Sequence, residues 1–177
     1  MTLSFVKSAV KLLYPLEREV AEEAPRIGVF VCHCGINIGG VVNVPEVRDY
    51  ARTLPYVVYA EDNMYTCSED TQKRIKDKIE ELKLNRVVVA SCSPRTHEPL
   101  FRETVKEGGL NPHLFEMANI RDQCSWVHMD DKQGATEKAK DLVRMVVAKA
   151  ALNRALPAIH LAVKQSVLII GGGATGL

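Results

Sequence analysis

No apolar run in these 177 residues approaches the roughly 20 needed to cross a bilayer. The N-terminal stretch MTLSFVKSAVKLLYPLEREVAEEAP lacks the compact apolar core and small-residue cleavage site of a signal peptide. Neither sign of charge dominates: the net charge is +1, which gives no field suited to nucleic acid or a membrane surface. There is no internal repeat and no low-complexity segment. No C-x-x-C pair occurs, which removes the zinc knuckle and the thioredoxin-type redox site. The compact C-x2-C-x2-C run of a bacterial ferredoxin is missing as well. These absences leave a protein expected in the reducing cytoplasm, where structural disulfides are rare. An odd count of five cysteines speaks against disulfides too.

What is present is an alternation of short apolar runs with helical periodicity. Ile27–Val31, Tyr56–Asp62, Arg86–Ala90 and His113–Ala118 read as strands, the first apolar throughout, as a strand covered on both faces should be. Between them the spacing predicts helices over Val44–Leu54, after an N-cap at Ser68, and over Pro99–Lys106; a longer one runs from Thr136 to Arg154, closed by Pro157. The fold class is therefore α/β: an open, mainly parallel sheet with helices on both faces, Rossmann- or flavodoxin-like. An amphipathic helix carrying Val6, Ala9, Val10 and Leu13 on one face is expected ahead of it. The expected organisation is a helical extension over 1–25, a cysteine-rich α/β domain over 26–156, and a linker with a truncated nucleotide-binding start over 157–177.

That last segment, VLIIGGGATGL, reads as a strand entering G-x-G-x-x-G, with Gly171, Gly173 and Gly176 as the candidate cofactor-binding positions. The following helix and the acidic residue roughly 20 positions on are not in the sequence, so the segment is not expected to hold a dinucleotide by itself.

The cysteines fall in a pattern. Cys32 and Cys34 follow the first predicted strand, Cys67 the second, Cys92 the third and Cys124 the fourth. This is the edge of a parallel sheet at which ligands bind. With the compact motifs excluded, the chemistry that uses separated thiols is a cubane iron–sulfur cluster held by loops, all five cysteines being candidate metal ligands. Cys34, Cys67, Cys92 and Cys124 each stand clear of a strand, whereas Cys32 closes one, which favours the first four. His33, His97 and His128 are weaker ligand candidates, and Arg95 and Arg121 could offset cluster charge. A thiol-based redox or persulfide module using Cys32 and Cys34 is an alternative reading. A dimerisation or interaction domain with zinc or no metal is another. No catalytic residue is expected of this chain alone.

The stretches VFVCHCGINI, YAEDNMYTCSEDTQ, NRVVVASCSPRTHEPLF, NPHLFEMANIRDQCSWVH and KAKDLVRMVVAKA resemble the N-terminal region of the A-type subunit of heterodisulfide reductase, from about Arg26 to Leu177. This is the iron–sulfur flavoprotein of methanogens and other anaerobes. The resemblance implies a [4Fe–4S] cluster in the cysteine-rich domain, then an FAD domain opening at Gly171–Gly176, then ferredoxin-type cluster domains. It also implies a flavin that bifurcates electrons toward ferredoxin and heterodisulfide reduction. The implied partners are the other reductase subunits, a hydrogenase or formate dehydrogenase module, ferredoxin and a second copy in a homodimer.

Overall fold

The computed structural model describes residues 14–159, 161–162, 164 and 166–174. The expected helix over Val6–Leu13 and the glycine at Gly176 lie outside these residues.

The elements run β1 (Ile27–Cys32), α1 (Ile36–Gly39), α2 (Val44–Ala51), β2 (Val57–Asn63), α3 (Glu69–Glu81), β3 (Arg86–Ser91), α4 (Pro94–Glu107), β4 (Phe115–Asn119), a π-helical turn (Arg121–Ser125) and α5 (Lys132–Leu152). The four strands form one sheet in the order β2-β1-β3-β4, and every pairing is parallel. β1 and β3 are buried along their whole length, which is why both read as unbroken apolar runs rather than as alternation.

Alternation reappears in which layer each residue meets. Val29, Val31, Val88, Ala90 and Ala118 join α2 and α5 in one apolar cluster. Phe30, Val87, Val89 and Phe115 join α3 and α4 in the other. Right-handed crossovers explain the split: the chain moves one way from β1 to β2 and the other way from β2 through β3 to β4, so its helices fall on opposite faces. The reversal creates a topological switch point between β1 and β3, where the connections leaving the carboxyl ends diverge and open a crevice.

Local signals place the helices. Ser68 caps α3, its side chain accepting from the Thr71 N–H, with Glu69 and Asp70 in the first turn. Asn43 caps α2 with Pro45 in the first turn. The helix expected from Pro99 begins instead at Pro94, capped by Ser93, and carries Pro99 within it. Two prolines compete to mark this start. Ser93 decides it by accepting from the Arg95 N–H, and the missing N–H of Pro99 forgoes one helical bond. α5 ends at Leu152, short of Pro157, because Asn153 turns extended.

The extension ahead of β1 is docked at the opposite, N-terminal edge of the sheet. Arg18 donates to the carbonyls of Gly109 and Leu84, and Val20 is buried against the α3–α4 layer. Asn111 donates to both Glu17 Oε1 and the Leu156 carbonyl, so the segments before β1 and after α5 share one anchor.

The strand expected over Val167–Ile170 is not formed: the segment is irregular and its side chains are exposed. A strand needs a ladder partner and a covering layer, and none of the described residues supplies either.

Candidate metal centre

β1 delivers Cys32 to the carboxyl edge of the sheet, level with Asn63 of β2. The ladder continues one step further, His33 N–H donating to the Asn63 carbonyl. The chain then turns sharply, with Cys34 at φ 48° and Gly35 at φ 55°. Only glycine enters that left-handed region without strain, so Cys34 is held there by its surroundings. A Cβ at Gly35 would stand 2.9 Å from the Tyr65 hydroxyl, which closes the turn against the loop from β2.

Two backbone N–H groups point at the Cys32 sulfur: that of Cys34 at 3.2 Å and that of Thr66 at 3.4 Å. Sulfur is a weak acceptor when protonated and a much better one as thiolate or cluster ligand, so this pair of donors suits an anionic sulfur. Cys67 follows Thr66 directly and Cys92 follows the end of β3.

Burial pushes the Cys67 thiol up, and the neighbouring Cys32 and Cys34 push it further. Burial also raises Cys92. Ser91 and Arg121 pull it back, while Cys34 and Cys32 add to the rise. Cys67 and Cys92 are thus each within electrostatic reach of Cys32 and Cys34. Arg121 faces the group from the π-helical turn. Burial disfavours its charge, but the bond to Asp122 (2.9 Å) and the thiols of Cys92 and Cys34 keep its pKa above the ordinary value. Its guanidinium also stacks 4.6 Å from the Trp126 ring centre.

Cys124 stands apart. The π-helical turn directs it inward, where it is fully buried among the α5-side apolar residues and donates to the Ala135 carbonyl at 2.8 Å. Burial lifts its pKa to about 11, partly offset by Lys138, and no other cysteine contributes. All five cysteines are free thiols. Among the described residues no three His, Cys, Asp or Glu side chains come close enough to share one metal ion.

Of the histidines, His33 is committed elsewhere. Its Nε2 lies 2.7 Å from Asp62 Oδ2, while Arg48 donates to Asp62 Oδ1 at 2.5 Å. This bridge ties the Cys32–Cys34 loop to β2 and α2. Burial tends to raise the Asp62 carboxyl, but His33 and Arg48 together hold it below the ordinary value. A carboxyl depressed on folding contributes stability above its unfolded pKa of about 3.9, lost as pH falls through the folded value. Asp62→Asn is therefore expected to melt lower at neutral pH and to show a flatter loss of stability below about pH 4; acid titration followed by circular dichroism checks both. His97 packs edge-on against Phe101, and His128 pairs with Lys138. The sequence reading missed Thr66, Asp62 and Arg48. Asp62 and Thr66 both precede Cys67 in DNMYTC, and a polar cluster at the end of a predicted strand was the available signal. A cavity of about 390 Å³ opens beside His33, between Gly39, Asn43, Pro45 and Lys132, and no cysteine lines it.

Fold and edge together define an open parallel α/β domain in which thiols follow the carboxyl ends of the strands. No family model matches the chain. Among curated relatives it is 61% identical over 158 residues to the second A-type iron-sulfur subunit of CoB–CoM heterodisulfide reductase from Methanopyrus kandleri, a match covering 89% of this chain and 24% of that protein. It is 60% identical over 161 residues to the A-type subunit of the H2:CoB–CoM heterodisulfide, ferredoxin reductase of Methanothermobacter thermautotrophicus, covering 91% of this chain and 24% of that protein. Against the A-subunit-like heterodisulfide reductase protein of Archaeoglobus profundus the identity is 53% over 158 residues, covering 89% of this chain and 22% of that protein. Over about nine-tenths of its length the chain is similar to A-type subunits of heterodisulfide reductase, and it spans about a quarter of the length of these relatives. No helix among the described residues is long and apolar enough to cross a membrane.

Proposed function

We propose that the chain is an iron–sulfur electron-transfer domain in which Cys32, Cys34, Cys67 and Cys92 hold one [4Fe–4S] cluster. The observation that carries this is the placement of those four thiols after the carboxyl ends of β1, β2 and β3, Cys67 and Cys92 each within electrostatic reach of Cys32 and Cys34, with Cys124 spent in the core. The donor set fits: thiolates are the ligands of such clusters, and each binds its own iron, a wider spacing than one ion would need. The N–H groups on the Cys32 sulfur and the buried, unpaired Thr66 hydroxyl fit as well. When bound, the cluster supplies one-electron storage at a potential set by its surroundings. Cys34 and Gly35 turn the loop that presents two of the thiols, and Arg121 sets a fixed positive charge beside Cys34 and Cys92. This reading exchanges Cys32 for Cys124 in the ligand set favoured by spacing.

The words "iron-sulfur" and "ferredoxin reductase" in the names of the relatives support the reading. In the longer protein the domain would exchange electrons with ferredoxin, the other reductase subunits and a hydrogenase or formate dehydrogenase module, in a homodimer in the cytoplasm. A rim of exposed Ile36, Met64, Tyr65, Trp126 and Met129 borders the thiol loops and suits the docking of such a carrier. Residues 157–177 would lead into an FAD domain that bifurcates electrons. The described part of that segment forms no cleft of its own, with nothing within 4 Å of a Cβ at Gly171 or Gly173.

Anaerobic reconstitution tests the proposal. About four iron and four sulfide per chain with broad visible absorption is the expected result. A colourless protein with all five thiols titrating freely, or one binding zinc in preference to iron, overturns it.

A further inference from the structure

Among the described residues four threonines are buried: Thr66, Thr71, Thr104 and Thr136. Three have their hydroxyls partnered. Thr71 meets Ser68 Oγ at 3.1 Å, Thr104 donates to the Leu100 carbonyl at 2.9 Å, and Thr136 donates to the Lys132 carbonyl at 2.8 Å. Thr66 differs: it is completely buried and its Oγ1 has no partner. An unpaired hydroxyl sealed from water costs stability, and the same volume could be filled by valine without that cost.

Its surroundings say what the hydroxyl waits for. The adjacent carbonyls each accept another donor, that of Tyr65 the Ser68 N–H at 3.0 Å and that of Cys67 Gln72 Nε2 at 2.9 Å, and neither is paired with the Thr66 hydroxyl. The Thr66 N–H already points at the Cys32 sulfur, and the next residue is Cys67. Acceptors that a bound group would bring to this spot are sulfurs.

Resting on the cluster reading above, we infer that the Thr66 hydroxyl is a hydrogen-bond donor reserved for a sulfur of the loaded site, and that it helps set the reduction potential. Donors to cluster or ligand sulfur favour the more negative, reduced state, so losing one lowers the potential. Thr66 is a positioning and tuning residue rather than a ligand.

The test compares Thr66→Val, Thr66→Ala and Thr66→Ser with wild type. In the apo protein, Thr66→Val is expected to melt higher, because an orphaned hydroxyl is gone and the shape is kept. In the reconstituted protein, Thr66→Val and Thr66→Ala are expected to titrate at a more negative midpoint. A tenfold loss of preference for the reduced state reads as about 59 mV for a one-electron couple. Thr66→Ser should stay at the wild-type potential. A lower apo melting point for Thr66→Val, or unchanged midpoints in both Val and Ala variants at full iron content, overturns the inference. A wild-type protein that takes up no iron overturns the cluster reading instead, while the apo melting comparison still reports whether the hydroxyl is unpaired.

Discussion

Serine at Cys67 or Cys92 is expected to leave a folded protein that reconstitutes with almost none of the wild-type iron and sulfide. Altering a group that only supports a metal ligand already costs 10–100-fold in affinity, roughly, and removing a ligand costs at least that. Cys32→Ser and Cys34→Ser should behave the same way. Cys34 adds an internal control, because its φ of 48° is one that serine tolerates no better, so the two residues differ only in sulfur. Cys124→Ala is the contrast. It loses the bond to Ala135 and a little packing, a cost of about 1 kcal/mol, while the visible spectrum stays as in wild type. Iron and sulfide determinations across the five variants read the outcome directly. A bleached Cys124→Ala beside a fully loaded Cys32→Ser would reverse the ligand assignment.

The largest effect on stability is expected at Phe30. It is fully buried in the α3–α4 layer, with its ring centre 6.0 Å from that of Tyr59, and lies two residues before Cys32 on the same face of β1. Phe30→Ala removes most of that side chain and leaves a cavity that a parallel sheet cannot close around, at a cost of about 3–5 kcal/mol. Against a total near 5–15 kcal/mol that is a large share. For a domain of this size each kcal/mol moves the midpoint by about 2–4 °C, so thermal unfolding of the apo protein should drop by about 6–20 °C. A fall of only a degree or two would mean that the α3–α4 layer is not the stabilising core described above.

The sheet was readable because strands covered on both faces leave unbroken apolar runs, and RVVVA is hard to take for anything else. Parallel order followed from the helices in between, and the edge carrying the thiols followed from where the strands stop. Three things were not readable, each for a local reason. The start of α4 depended on which of Pro94 and Pro99 opens the helix, and only the Ser93 cap distinguishes them. The inward turn of Cys124 depends on a π-helical turn, whose extra residue rotates the side chain away from where ordinary helical spacing would put it. The direction of the Cys32 sulfur follows from strand alternation: it shares a face with Phe30, and the Thr66 N–H of the β2–α3 loop meets it there. Its place at the end of β1 points that sulfur at two backbone donors, which is what supports including Cys32 in the proposed ligand set.

The anchor at Asn111 has a mechanical consequence. It grips Leu156 at the N-terminal rim of the sheet, a full strand length, about 20 Å, from the thiols. Attachment and chemistry thus sit at opposite ends of a stiff plate. Pulling or twisting on the chain beyond Leu156 loads the anchored rim first, and the strands transmit little of it to the loops that carry sulfur. Fully extended, ten residues such as 157–166 would reach at most about 33–36 Å, more than the one strand length to the thiol rim. Shortening that segment is therefore expected to leave the thiol loops as they are, because the anchor at Asn111 lies between the two.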